Sequence, residues 1–199
     1  MLMEFITEIN KNNLLYSVIA NILAAIVVAF IFFLLKDVFF KFPEFNGRYY
    51  LKLIVEETDY NPYREMEMHF LIYFSSSNGE LVGGGERIYE DSSRGMKVEH
   101  VIHYSGSSKI PIDVSGRIIK RIFGNDTLNA FCKASSKARV SSMVVSFDIP
   151  PRCERSDSEI FEGRFSWSVS NKTGTAYLSK NKFYQRPATE FKDEKPSIT

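Results

Sequence analysis

Hydrophobic and polar residues follow two different patterns along the chain. The first is a run of 22 residues without a formal charge, 14–35, which Lys36-Asp37 follows. A helix of this length reaches about 33 Å, enough to cross a hydrocarbon core of about 30 Å. The length disfavours a buried helix of a soluble protein, and the missing basic flank and cleavage site disfavour a signal peptide. The run therefore predicts a retained transmembrane anchor over 14–36.

The charges around this run predict its orientation. Lys36, Lys41 and Arg48 follow it, whereas the one lysine before it, Lys11, is accompanied by two glutamates. Because basic residues concentrate on the cytoplasmic side, the larger carboxyl-terminal part is expected in the cytoplasm. Residues 1–13 are expected to form a polar lead, and the aromatic segment 37–45 an interfacial linker whose helix stops at the proline.

The second pattern begins at residue 46. Short runs of β-branched and aromatic residues alternate there with turn clusters, and Met66, Met68 and Phe70 share one face of a run with period two. This alternation is typical of half-buried antiparallel strands. The predicted strands are 47–57, 65–74, 80–89, 96–104, 110–123, 128–134, 140–149, 161–169 and 175–179. No helix is predicted after the anchor, and 181–199 is expected to be a disordered tail.

Nine short strands in one domain of about 140 residues indicate an all-β barrel or sandwich. We favour a soluble, closed, up-and-down antiparallel barrel of about eight strands over 46–180. Closure removes exposed sheet edges and leaves an interior that can hold one small ligand. Gly83-Gly84-Gly85 could bring backbone amides to a phosphate, but a bend at a barrel corner is the favoured interpretation.

Composition narrows the function classes. The formal net charge of +1 argues against a nucleic acid polymer as partner but permits a small anionic ligand. Cys132 and Cys153 form no CxxC pair and suit a reducing cytoplasm, although the two could also pair with each other. No catalytic motif is present, so we expect neither enzymatic activity nor a cofactor. His100 and His103 would face opposite sides of a strand, and no metal site is expected.

Five residues are candidates for ligand binding. The loop TDYNPYR carries Tyr60, Tyr63 and Arg64 around an Asn-Pro turn. Aromatic faces stack on bases and arginine binds phosphate, although the same residues would fit an ordinary turn over the barrel mouth. Arg87 and Arg117 lie in predicted strands, where each either lines a charged pocket or points into solvent.

The anchor itself carries small residues that suit helix association. Ala20, Ala24 and Ala25 would let neighbouring helices approach closely, and Asn21 could bond the same amide of a second copy. Asn21 could equally be hydrated near the membrane surface. These four residues are the candidates for oligomerisation.

The chain resembles the membrane-anchored β-barrel effectors of bacterial CBASS anti-phage systems. The resemblance is carried by the anchor followed by FNGRYYLKL, DYNPYREMEM, GELVGGGERIYED and FEGRFSWSVSNKTGTAYLSK. It implies an inner-membrane protein whose cytoplasmic barrel binds a cyclic dinucleotide made by a partner CD-NTase. Binding would assemble the anchors, disrupt the membrane and kill the infected cell. One departure is that a single membrane segment is visible here, where the family has two.

The leading hypothesis is therefore a non-enzymatic, ligand-gated membrane effector. Tyr60 and Tyr63 would stack on the ligand, and Arg64, Arg87 and Arg117 would contact its phosphates. Two alternatives stay open at this point: a membrane-tethered, lipocalin-like carrier of an apolar ligand, and a passive membrane adaptor whose filled barrel binds only protein.

Overall fold

The computed structural model describes most of the chain. The described residues are 2–39, 42–121, 124–135, 140–150 and 159–187, with side chains described for 16–35 in the first range and throughout the others. They form two compact units, one ending at Lys41 and one beginning at Phe42.

The first unit is one long helix, α1, which covers Leu2–Phe39. Within it, Tyr16–Leu35 is long and apolar enough to cross a membrane, and its side chains are exposed. The helix begins earlier than predicted, so the expected polar lead is helical from Leu2 onward. The reason is that neither proline nor glycine interrupts the sequence before Pro43.

The second unit is a closed antiparallel barrel, as predicted. Its strands are β1 Gly47–Glu57, β2 Glu67–Ser77, β3 Glu80–Asp91, β4 Val101–His103, β5 Ile110–Ile119, β6 Asp126–Ser135, β7 Val140–Ile149, β8 Ile160–Trp167 and β9 Lys172–Ser179. Eight of them pair in chain order around the barrel, and β9 returns to β1 to close it. The short strand β4 pairs only with β3, outside this ring.

The segment between β3 and β5 differs from the prediction. Residues 96–104 were expected to form one strand, but only Val101–His103 does, and a one-turn helix α2 covers Ser93–Met96. The Met96 amide bonds the Ser92 carbonyl in this turn. Lys97 then takes a left-handed backbone conformation (φ 57°), which ends the helix and breaks the extended pattern.

Apolar side chains fill the barrel interior. The alternation predicted for β2 is confirmed, since Met66, Met68 and Phe70 are all buried. The same parity holds around the barrel, where buried interior residues include Tyr49, Leu51, Leu53, Ile72, Leu128, Val145, Phe147, Phe165, Ala176 and Leu178. These buried side chains form the hydrophobic core, which holds in place the strands that carry the site residues.

Two interior glycines allow the wall to curve. A Cβ at Gly83 would lie 2.4 Å from the Tyr73 carbonyl oxygen, and one at Gly85 would lie 2.1 Å from that of Leu71. Neither position has room for a side chain, which supports the bend interpretation of the glycine run.

The strands of the barrel are joined at its two ends. We call the end at which β1 begins the lower end. The upper end contains the connections from β1 to β2, from β3 to β5 and from β8 to β9, and β6 ends and β7 begins there. The first of these includes a 3₁₀ turn, Asn61–Tyr63, and the last a 3₁₀ turn, Val169–Asn171.

Residues 180–187 lie on the outer wall of the barrel, and we call them the C-terminal strap. The Arg186 amide donates to the Tyr89 hydroxyl at 3.3 Å, and the Phe183 ring lies 5.9 Å from that of His69. This part of the chain was predicted to be a disordered tail, which is wrong for 181–187, whereas 188–199 lies outside the described residues. Its order depends on these long-range contacts, which a polar local sequence does not reveal.

Candidate ligand-binding cavity

A cavity of about 140 Å³ lies inside the upper end of the barrel. Its lining residues are Tyr63, Met66, Arg87, Glu90, Ile110, Ala134, Ser141, Trp167, Val169 and Lys172. The apolar interior thus ends in a layer that contains two cations and one carboxylate. Side chains from several strands converge here because interior positions of every strand point towards the same axis.

Arg87 occupies the interior face of β3, two positions after Gly85, and its side chain is only 13% exposed. Its guanidinium carbon lies 5.2 Å from the ring centroid of Trp167 and 5.5 Å from that of Phe70. Such contacts with aromatic faces stabilise a partly desolvated cation. Among the described residues, Arg87 Nε has no hydrogen-bond partner.

A β-bulge brings a carboxylate to this arginine. Phe70 of β2 pairs with Arg87 and His69 pairs with Tyr89, so Ile88 is an extra residue in β3. The extra residue reverses the alternation, and Glu90 therefore points inward as Arg87 does. Arg87 Nη1 lies 2.7 Å from Glu90 Oε2.

Tyr104 holds the same carboxylate from the connection after β4. Its hydroxyl donates to Glu90 Oε2 at 2.9 Å, and its ring centroid lies 5.9 Å from the Arg87 guanidinium carbon. Burial raises the pKa of Tyr104, and the negative charge of Glu90 adds to this increase. The hydroxyl therefore keeps its proton at neutral pH and remains a donor to Glu90.

Lys172 supplies the second cation as the first residue of β9. It is buried, and its Nζ lies 3.7 Å from the ring centroid of Tyr63 and 5.4 Å from that of Trp167. Trp167 is 4% exposed, and its indole Nε1 finds no partner in the described part of the chain. A buried donor without a partner is costly, so this N–H is available to a ligand acceptor.

The structure brings only some of the predicted site residues together. Tyr63 and Arg87 line the cavity, and Tyr60 lies beside it with its ring 4.9 Å from that of Tyr63. Arg64 is exposed in the same turn and does not line the cavity. Arg117 is exposed on the outer face of β5 and does not line the cavity that Arg87 lines, which fits the solvent-facing alternative for this residue.

Sequence reasoning missed Glu90, Tyr104, Trp167 and Lys172. Trp167 was available as a signal, because it is the only tryptophan and falls on the apolar face of its predicted strand. Lys172 lies between the predicted strands 161–169 and 175–179, whereas in the structure it begins β9 with an inward side chain. Glu90 depends on the bulge, which has no clear local signature.

This cavity suits a ligand that combines negative charge with a flat ring. An engineered protein cavity of about 150 Å³ binds benzene, so about 140 Å³ accommodates one ring or one phosphate group. Within the described ranges, no cluster of three or more His, Cys, Asp or Glu side chains could hold a metal ion. Comparisons with protein-family models, with curated proteins and with solved structures found no match to this chain.

Proposed function

We propose that this chain is a membrane-anchored receptor whose barrel binds a cyclic dinucleotide through the upper-end cavity. The observation that carries the proposal is the placement of Arg87 and Lys172 around the single tryptophan, Trp167, inside a closed barrel. A cyclic dinucleotide offers matching chemistry, since it combines two phosphodiester anions with two flat bases. The near-neutral net charge of the chain fits a local cationic site better than a surface for nucleic acid polymers.

The donors in the cavity match an oxyanion. Arg87 Nε and Trp167 Nε1 are buried without partners among the described residues, and a phosphate oxygen would accept from either. Hydrogen bonds between a guanidinium and a phosphate are among the stronger ones in proteins. The aromatic faces of Tyr63 and Trp167 provide surfaces on which a base would stack.

The size of the cavity sets how such a ligand would lie. A volume of about 140 Å³ takes one phosphate or one base, so most of a dinucleotide would remain at the upper rim. Tyr60, which is 51% exposed and in contact with Tyr63, is placed to meet that outer part.

In this proposal, the anchor converts ligand binding into an effect on the membrane. Ligand would favour an assembled state if that state binds it more tightly, and the α1 helices would then associate through Ala20, Ala24 and Ala25 with Asn21. Basic residues after the apolar segment favour a barrel in the cytoplasm of a bacterial inner-membrane protein. Disruption of that membrane would kill a phage-infected cell, with a CD-NTase as the source of the ligand.

The test uses the full chain in detergent micelles. A panel of cyclic dinucleotides (di-AMP, di-GMP, di-UMP and GMP–AMP) is titrated while the fluorescence of Trp167 and the heat of binding are recorded. One member should bind saturably, and Arg87→Gln should weaken it by about tenfold or more. Arg117→Gln is the matched control, because this arginine lies on the outer face, and it should bind like the wild type. A folded protein that binds no member would refute the proposal.

The filled barrel counts against a carrier of apolar ligands. Large side chains such as Phe70, Phe147 and Phe165 occupy the interior below the cavity. A fatty acyl chain would have to displace them, and it would meet two cations at the upper end. Fatty acid co-purifying with the folded chain would favour the carrier.

A further inference from the structure

Glu90 occupies the position that an anionic ligand would need. Its carboxylate holds Arg87 Nη1 at 2.7 Å and accepts the Tyr104 hydroxyl at 2.9 Å, and its side chain is only 10% exposed. The cavity therefore already contains one negative group on its arginine. An incoming phosphate would meet a guanidinium that already binds Glu90 through Nη1, and the negative charge of Glu90 would repel it.

We infer that Glu90 is an internal competitor, a carboxylate that occupies Arg87 in the empty barrel and is displaced when an anion binds. This inference rests on the proposed function only in that both use the same cavity. The affinity for the ligand then depends on how much more strongly Arg87 binds the ligand phosphate than it binds Glu90.

The β-bulge makes such a displacement feasible. Ile88 interrupts the register between β2 and β3, so Glu90 lies on a part of β3 that is offset from the regular ladder. Tyr104 contacts the same part twice, through its amide to the Ile88 carbonyl at 3.1 Å and through its hydroxyl to Glu90. A shift of Glu90 would therefore reach Tyr104 and the strand β4 that precedes it.

Competition and direct recognition predict opposite signs. If Glu90 competes with the anion, Glu90→Gln leaves Arg87 without a counter-charge and binding becomes tighter. If Glu90 instead accepts a hydrogen bond from a ligand N–H, the same change makes binding weaker. Inorganic pyrophosphate separates competition from direct recognition, because it is an anion that has no N–H group to donate to Glu90. High pH also removes most of its O–H protons.

The experiment titrates the full chain in detergent with pyrophosphate at pH 9, and with the cyclic dinucleotide panel, while Trp167 fluorescence is recorded. Glu90→Gln should bind pyrophosphate about tenfold more tightly than the wild type. Glu86→Gln is the matched control. Glu86 precedes Arg87, points to the outside of the barrel and pairs with Lys109, so affinity should not change.

Tyr104→Phe provides a second variant in case Glu90→Gln does not fold. It removes the hydroxyl that holds Glu90 but keeps both charges, so pyrophosphate should bind more tightly by a smaller factor. Unchanged or weaker pyrophosphate binding in folded Glu90→Gln or Tyr104→Phe would overturn the inference.

The two proposals fail separately in this design. Tighter pyrophosphate binding by Glu90→Gln with no cyclic dinucleotide bound by any protein would support the competitor and refute the receptor proposal. If the wild type binds a cyclic dinucleotide but Glu90→Gln binds neither probe more tightly, the receptor proposal is supported and the competitor is refuted.

Discussion

Arg186 Nη2 lies 3.1 Å from Asp91 Oδ1 and so fastens the C-terminal strap to the upper end of β3. The same side chain also donates to the Ser93 hydroxyl at 2.6 Å, and its backbone carbonyl accepts from His103 at 2.8 Å. These three contacts of one residue, together with the bond from its amide to Tyr89, hold the strap over two otherwise outward rings. His69 and Tyr89 are 1% and 2% exposed as a result.

Truncation after Lys180 should therefore destabilise the barrel. It would expose His69 and Tyr89 and remove the bonds from Arg186, a loss of about 2–4 kcal/mol in the free energy of unfolding. Thermal unfolding followed by circular dichroism would show a melting temperature lowered by several degrees. Truncation after Pro187 is the control, because it keeps the strap, and it should melt like the full chain. Equal melting of the two truncated proteins would mean that the strap does not stabilise the barrel.

Adjacent glycines in β3 should respond differently to alanine. A Cβ at Gly85 would lie 2.1 Å from the Leu71 carbonyl oxygen, whereas one at Gly84 would lie 3.7 Å from that of Ile112, an ordinary contact. Gly85→Ala must move the backbone of β2 and should cost about 3 kcal/mol or more. Gly84→Ala should change the free energy of unfolding by less than about 1 kcal/mol. Chemical unfolding monitored by Trp167 fluorescence compares the two variants.

The prediction for the two glycines is contradicted if both alanine variants unfold at the same denaturant concentration. Similar stability of the two variants would mean that the sheet is not as tightly curved at Gly85 as the structure has it.

Local sequence signals account for most of the fold. The uncharged run predicts α1, and the period-two alternation with its turn clusters predicts the barrel. The same alternation accounts for the outward position of Arg117. Ile112, Val114 and Ile118 are buried on one face of β5, so Arg117 must lie on the other.

The site was less predictable because its decisive features are not local. Glu90 faces the cavity only because Ile88 forms a bulge against β2, and Lys172 is buried only because β9 pairs with both β8 and β1. Arg87 could be named from the sequence, but its ring contacts come from three separate segments of the chain. The ordered strap was missed for the same reason, since its stability lies in contacts with β2 and β3.

Glu67 should link the stability of the barrel to pH. Burial alone would raise its pKa, but the hydrogen bonds from His69 and Lys52 outweigh burial and hold the pKa below its usual value of 4.5. A lowered carboxyl pKa stabilises the folded state above the unfolded pKa, and this contribution is lost as pH falls through the folded pKa. Glu67→Gln should therefore melt at a lower temperature than the wild type at pH 7.

The pH dependence provides the control for this prediction. The difference in melting temperature between Glu67→Gln and the wild type should shrink steadily below about pH 4.5. Glu80→Gln serves as the comparison, because Glu80 is exposed at the lower end of β3. A gap between Glu67→Gln and wild type that stays constant down to strongly acid pH would contradict the assignment to this carboxylate.

The anchor prediction separates membrane assembly from ligand binding. Ala24 and Ala25 lie within the apolar segment of α1 with exposed side chains, and leucine at both would keep that segment apolar while preventing close helix approach. Under the receptor proposal, Ala24→Leu/Ala25→Leu should still bind its cyclic dinucleotide saturably through the barrel, without the gain in affinity that assembly adds, but kill cells less efficiently on expression with the ligand source. Ala29→Leu tests whether position matters, since Ala29 is another small residue of the same segment. The outcome against helix packing is undiminished killing by the double variant at equal membrane levels.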